Sequence, residues 1–478
     1  LASDASPNNS GAGIWAKSGS DLTLRNARLV DNTASGSDGN GGGIYSQGTL
    51  TVDDATLSGN FADFYGGGID SGNSTFTNVT VENNSAGARG GGIHTGNSTF
   101  TNVTVKNNSA GNDGGGISSF PISSFDITFT NVTVKNNSAD RYGGGIYANG
   151  TFTNVTVKNN SADREGGGIY GSGTFTDVTV ENNSADREGG GINIRSTSTF
   201  TRVDILGNES RFDNGGGLYN PGVDVNLTEV MFVRNTAGSS NSGGGAYMVN
   251  TTLRAANVRF LGNESGSGAG LHLASADGSL ANAVFSGNTA GSNGGGLHLG
   301  SNSSPAIVNS SFSANSASGE GGAIYTDGTN NFPLIHNSVF WGNTSSNSGN
   351  QQQVFVASGE PLFQNSLIQD GVPDGAFDDG GNLSSDPLFV NASGPDNIPG
   401  TEDDNLRLDP GSPAVDAGDS SLLPEDVLDI DGNGDTSEEL PLDLAGEVRR
   451  QDVNGGGFVV DMGAYEAAGT PLPVELTQ

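Results

Sequence analysis

Val157-Lys158-Asn159-Asn160, a polar turn from Ser161 to Glu165, and then Gly166-Gly167-Gly168-Ile169 form one copy of the pattern that decides the fold. The apolar-x-x-Asn half recurs at Asn32, Asn60, Asn84, Asn108, Asn137, Asn160, Asn183, Asn208, Asn235, Asn263, Asn288, Asn315 and Asn343. Twelve intervals therefore span 311 residues, about 26 residues each. A period of this size marks stacked supersecondary units, none of which buries its apolar face alone.

The residues between markers say which unit. From Gly150 to Asn160, Phe152, Val155 and Val157 fall among Thr151, Thr153, Asn154, Thr156 and Lys158, a near-alternation rich in β-branched residues. No ten-residue helical pattern or leucine framework is present, and a propeller blade needs about 40 residues. The expected fold is all-β: a parallel β-helix, with about 13–16 coils and an acidic, loop-rich C-terminal cap. At about 4.8 Å per coil, thirteen coils make a rod core of roughly 60 Å.

Each marker has a physical task in such a coil. An Asn at a fixed turn tolerates a left-handed φ, and its amide can bond to the same amide one coil on. Three glycines permit a sharp corner and close approach of neighbouring backbones. The following Ile or Leu, from Ile44 to Ile324, should form an inward aliphatic column. Phe76, Phe100, Phe129, Phe152, Phe175 and Phe200 should form a second column, and Phe232, Phe260, Phe285, Phe312 and Phe340 occupy the position three before the Asn.

The residue after each inward Ile or Leu is expected to face outward, and half of these residues are tyrosine. Tyr45, Tyr147, Tyr170, Tyr219, Tyr247, His272, His298 and Tyr325 are its aromatic members, a candidate platform for sugar rings or a partner rod. Mutual stacking that stabilises the sheet is the competing reading. His272 and His298 should be neighbours, but two histidines without a third ligand make a poor metal site. The turns Asp140-Arg141, Asp163-Arg164 and Asp186-Arg187 should align charges in columns, and the many Asn-x-Ser/Thr triplets arise from the repeat itself.

The chain of 478 residues has 78 glycines, no cysteine and a net charge of −34. That charge opposes nucleic acid and anionic membranes as partners. No apolar run approaches a transmembrane span. Gly11-Ala12-Gly13-Ile14 already belongs to a coil, so the chain opens without a visible amino-terminal cap, and head-to-tail assembly into fibres is an expectation. A loop containing Pro121 lengthens one coil between Phe120 and Ile127.

The Gly-Gly-x-Ile and Phe-x-x-Asn elements, such as Phe312 to Asn315 before Gly321-Gly322-Ala323-Ile324, resemble repeats of chlamydial polymorphic outer-membrane proteins. Asp386-Pro387-Leu388-Phe389-Val390, Pro410-Gly411-Ser412-Pro413-Ala414-Val415-Asp416-Ala417-Gly418 and Asp461-Met462-Gly463-Ala464-Tyr465-Glu466 resemble the choice-of-anchor Q group of secreted bacterial β-helix proteins. These resemblances imply a single-stranded, right-handed parallel β-helix of the pectate-lyase type, exported to, or held near, a bacterial cell surface. The stretch from Pro471 to Thr477 resembles a junction that precedes carboxy-terminal sorting domains.

Residues 370–443 hold twenty Asp and Glu against one basic residue, Arg407. Asp429-Ile430-Asp431-Gly432-Asn433-Gly434-Asp435 opens like a calcium loop, with ligands Asp429, Asp431, Asn433 and Asp435, although position twelve is Leu440. Asp396, Asp403 and Asp404 are a weaker second cluster. Structural calcium is the expected cofactor. The expected domains are a repeat region over 1–369, acidic coils or a cap over 370–468, and a tail over 469–478. The function expected is a structural or adhesive surface that contacts glycans, proteins or copies of itself. A calcium-dependent polysaccharide lyase or hydrolase is the alternative, weakened by repeats too uniform for a catalytic groove and by scarce basic residues.

Overall fold

The computed structural model describes residues 13–120, 127–453, 455, 457–468 and 470–471. Gly11, Ala12, Pro121 and most of the tail lie outside these residues. The chain divides into two units, Leu1–Tyr219 and Asn220–Gln478. It is a parallel β-helix of about 14 turns.

In the first unit a coil such as Ile146 to Ala162 contributes the strands Ile146–Tyr147, Gly150–Lys158 and Ser161–Ala162. The long strand pairs in parallel with its successor residue for residue: Phe152 with Phe175, Val155 with Val178, Val157 with Val180. The inward side chains thereby stack on their own kind. Phe152, Phe175 and Phe200 are fully buried with ring centroids 4.6 Å apart. In the second unit Phe260, Phe285 and Phe312 do the same at 4.5–4.6 Å. Both expected phenylalanine columns form, as does the aliphatic column through Ile146, Ile169 and Ile192.

The marker asparagines form a buried ladder. Asn160 Oδ1 accepts the backbone N–H of Asn137 at 2.9 Å and its Nδ2 at 3.0 Å. Asn160 Nδ2 donates to Val134 O at 3.1 Å and to Asn183 Oδ1 at 2.9 Å. Both amide donors and both carbonyl lone pairs are thus used, which Asp or Ser could not match. The first unit runs this ladder from Asn32 to Asn208, and the second from Asn235 to Asn343. Gln353, fully buried on a one-turn helix Asn350–Gln353, ends it by accepting Asn343 Nδ2 at 2.7 Å.

The left-handed φ assigned to the marker Asn belongs instead to its neighbour. Asn159 has φ 53°, as do the residues before other markers, whereas Asn160 must be extended for its N–H to reach the next amide. A second left-handed Asn, Asn154 with φ 52°, kinks the long strand. The triplet glycines answer to the same geometry. A Cβ on Gly167 would lie 2.3 Å from Ser184 O, and one on Gly168 would lie 3.0 Å from the Asn183 amide carbon. Glycine and ladder asparagine are one corner, not two features.

The C-terminal region of the second unit departs from a simple end cap. Phe377 and Asp378 pair with Leu362 and Phe363 as a last partial coil. From there the chain doubles back along the flank of the coils. Asn282 Nδ2 donates to Leu442 O at 2.8 Å, Asn309 Nδ2 to Asp461 O at 3.1 Å and Asn337 Nδ2 to Asp419 O at 3.0 Å. These asparagines sit six residues before the ladder position, as Asn154 does in the first unit. Beneath the returning segment Val339, Leu367, Leu408, Val415 and Met462 make an apolar cluster.

Candidate functional site

The predicted outward column is in register: Ser118 pairs with Tyr147, Tyr147 with Tyr170 and Tyr170 with Asn193. In the second unit Tyr247, His272, His298 and Tyr325 follow one another in the same way. Tyr45 lies between Trp15 and Asp70, and Tyr219 pairs with Asn193. It is a seam rather than an open platform. Ser118 and Asn193 are fully buried and His298 and Tyr325 are buried at 8% exposure, while Tyr45, Tyr147, Tyr170, Tyr219, Tyr247 and His272 are half-buried. The cause is a second column that sequence reasoning missed, the residue before each glycine triplet, which folds over the first. Tyr65 stacks on His94 at 4.9 Å, Tyr142 lies 5.0 Å from Tyr170, and Arg195 pairs with Glu165 while covering the Tyr170 ring at 5.2 Å.

Electrostatics inside the seam follow from that cover. Burial pushes the Tyr170 hydroxyl up to about 12, against the pull of Arg195, and raises Tyr147 as well. Burial also raises Asp113 although Arg89 lies 3.0 Å away, and raises Glu188. Both tyrosines therefore remain hydrogen-bond donors across the physiological range. Burial and the neighbouring His298 push His272 down to about 3, while Asp327, 3.1 Å from His298, is lowered by that bond. The turn backbones stack in register, Arg164 N donating to Arg141 O, and where the copies diverge opposite charges meet, Asp186 with Arg211 one coil on at 3.0 Å.

One constellation has the residue types of nucleophilic catalysis. Asp70, His94 and Ser118 occupy successive coils, with His94 Nδ1 2.7 Å from Asp70 Oδ1. Ser118 is fully buried, and its Oγ has no hydrogen-bond partner among the described residues. A hydroxyl so enclosed has no face for a substrate, so the geometry does not assemble a nucleophile.

The acidic loops are placed as follows. Asp429 Oδ1 accepts Gly434 N–H at 3.0 Å, Asp431 accepts Asn433 N–H at 3.1 Å, and Asp435 accepts Ser437 N–H at 3.0 Å. The carboxylates that converge are Asp426, Asp431 and Glu438, with one oxygen from each within 4.8 Å of the others. Only Asp431 of the expected four belongs to this group. Asp426 is almost fully buried, and burial with its acidic neighbours raises it despite the Ile430 N–H. It precedes the motif, so the spacing rule passed over it. Asp396 and Asp403 cap their own loop, while Asp404 Oδ2 accepts Ser286 Oγ at 2.5 Å and ties that loop to a coil.

Two family models match this chain. Residues 3–120 match the right handed beta helix region. Residues 126–149, 154–172 and 309–327 match the Chlamydia polymorphic membrane protein repeat. No curated protein matches. The chain is thus a right-handed β-helix repeat protein whose coils are similar to polymorphic membrane protein repeats. No helix among the described residues is long and apolar enough to cross a membrane.

Proposed function

We propose that this chain is a bacterial cell-surface or secreted β-helix protein that presents an extended, non-catalytic binding surface to glycans or proteins. The observation that carries this reading is in-register repetition: every side chain on a coil becomes a column, so a weak contact recurs along one axis and the contacts add. Support for the setting comes from the polymorphic membrane protein repeats and from the charge of −34. The seam around Tyr147 and Tyr170 offers aromatic edges and protonated hydroxyls suited to sugar rings. A glycan array comparing the chain with Tyr147→Ala/Tyr170→Ala tests it. Loss of at least tenfold in binding supports the seam; equal binding by both proteins would reject it. Sedimentation of the same sample tests fibre formation, where a single slow species contradicts self-assembly.

We further propose that Asp426, Asp431 and Glu438 hold a calcium ion that steadies the returning segment. Three carboxylates this close repel one another without a cation. Chelation should then lower the melting temperature, because a ligand bound only by the folded state stabilises it. An unchanged transition in excess calcium and in chelator would reject the ion.

A further inference from the structure

The first unit carries a face that the binding seam does not use. On each long strand the residues flanking the buried phenylalanine are threonines. Thr75, Thr99, Thr128, Thr151, Thr174 and Thr199 align one above another, and so do the threonines two residues further on, Thr77 to Thr201. All are exposed or half-exposed. A third threonine column, Thr80, Thr104, Thr133, Thr156 and Thr179, runs beside them. Between the columns the left-handed asparagines bond to one another, Asn154 Nδ2 to Asn131 Oδ1 at 2.8 Å and Asn131 Nδ2 to Asn102 Oδ1 at 3.1 Å, which holds the face rigid.

Two observations say what such a face fits. The first is the constancy of the paired threonines within a strongly acidic chain. Where the copies diverge, charge enters the column between the threonines, with Asp177 and Arg202 in place of Asn154, and the third threonine column, with Asp204 in place of Thr179, while Lys158 gives way to Glu181. The paired threonines do not change across the six strands from Ser74–Thr77 to Ser198–Leu206. The second is the contrast with the second unit. There the positions equivalent to Thr153 are Thr228, Ala256, Ala281, Val308 and His336, of which Ala256, Ala281 and Val308 are each 3% exposed on the flank along which the returning segment runs. At those three positions the covered flank is built of alanine and valine, whereas the uncovered face of the first unit is built of threonine.

We propose that the threonine face of the first unit binds the surface of ice. Hydroxyls repeat at about 4.8 Å along the coil axis and about 6.6 Å along the strand, and the prism face of hexagonal ice repeats its oxygens on a rectangle with edges close to these. Threonine is stiff at χ1, so the array is set before contact and little rotamer entropy is lost on binding. Its methyl groups border the hydroxyls and order the intervening water, whereas a charged side chain would keep its own hydration shell. A neutral lattice thus meets paired columns of neutral threonines, and individually weak contacts add over six coils.

The test is slow growth of an ice hemisphere in a solution of the full chain with an inert protein as internal standard, together with microscopy of growing crystals. The face predicts at least tenfold enrichment of the chain in the ice over the standard, and faceted crystals. Thr130→Tyr/Thr153→Tyr should return enrichment to that of the standard with the β-rich circular dichroism unchanged, while Arg164→Tyr in an exposed turn should retain it. Should the first variant fail to fold, Thr101→Tyr/Thr176→Tyr replaces it. Exclusion of the wild type from ice overturns the proposal, as does equal enrichment of folded Tyr variants. Exclusion from ice with retention on a crystalline polysaccharide, or with threonine-dependent dimers, would reassign the face to that partner.

Discussion

The left-handed asparagine that kinks the long strand has one role in residues 13–219 and another in residues 220–468. In the first unit Asn102, Asn131 and Asn154 are exposed and bond only along their own column. In the second unit Asn282 and Asn337 keep a bond along their column, to Asn257 at 2.8 Å and Asn309 at 3.5 Å, and Asn282, Asn309 and Asn337 also direct their amides at a segment arriving from more than 80 residues away in the chain. The backbone geometry is the same, with φ near 50° in both. What differs is the flanking strand position, threonine in one and Ala281, Val308 or His336 in the other. A repeat coil therefore fixes where an amide points, and the neighbouring side chains decide whether it meets its own column alone or another part of the chain as well.

The sharpest way to break this contrast is Arg449→Ala. Arg449 is fully buried in the second unit, bonded to Glu466 at 2.6 Å and to Asn282 Oδ1 at 2.5 Å. Burial pushes Glu466 up to about 8 in spite of that cation. Removing the guanidinium leaves a buried carboxyl and amide without their partner, a loss of about 3–5 kcal/mol. Hydrogen exchange should show residues 440–467 losing protection while the coils of residues 44–206 keep theirs. Uniform loss across both units would contradict the division of roles.

An asparagine series sharpens it. Asn160→Ala deletes the four ladder bonds of one buried amide and should cost about 2–4 kcal/mol, since orphaned buried polar groups cost about 1–3 each. Asn282→Ala should cost about 2–4 kcal/mol, by placing alanine at φ 52°, stranding Leu442 O and removing one of the acceptors of Arg449. Asn154→Ala, exposed in the first unit and also at φ 52°, should cost about 1 kcal/mol, that of the left-handed alanine. Denaturant midpoints rank the three, and equality of Asn154→Ala with Asn282→Ala would remove the distinction drawn here.

The smallest effect is a pH response confined to the second unit. His272 stacks between Tyr247 and His298 at 4.8 and 4.5 Å, and its folded value lies near 3 against an ordinary 6.5. The fold favours the neutral ring, so its contribution is complete above pH 6.5 and declines as pH falls from there toward 3. Glu466 of the same unit, pushed up to about 8, acts in the opposite sense, so the test is the difference between the wild type and His272→Asn. On acidification from pH 7 to 4 the wild type should lose melting temperature relative to His272→Asn, by about 2–4 °C for each kcal/mol; a constant difference would place the acid sensitivity elsewhere.

The fold was legible because its signal is local and repeated: the spacing of Asn160, Asn183 and Asn208 contains the coil length, and Gly166 to Ile169 contains the corner. Column membership was legible for the same reason, down to Tyr147 above Tyr170. Three things were not. The left-handed residue is Asn159 rather than Asn160, a distinction that two adjacent asparagines hide and that hydrogen-bond direction settles. The cover over the tyrosines comes from positions such as Tyr65, Tyr142 and Glu165, whose identities vary too much to read as a column. The returning segment rests on contacts such as Asn282 with Leu442, 160 residues apart, which no periodicity encodes.

In-register stacking underlies all of these statements, and paired cysteines test it most directly because the chain has none of its own. Thr130 and Thr153 are Cα partners in adjacent coils, and Thr176 lies one coil further on. Mild oxidation of Thr130→Cys/Thr153→Cys should close a disulfide, since adjacent coils place the Cα atoms about 4.8 Å apart, within disulfide range. The Thr130→Cys/Thr176→Cys protein, at twice that distance, should remain reduced. Ready cross-linking of the distant pair and none of the adjacent one would contradict the register on which the ladder, the seam and the threonine face depend.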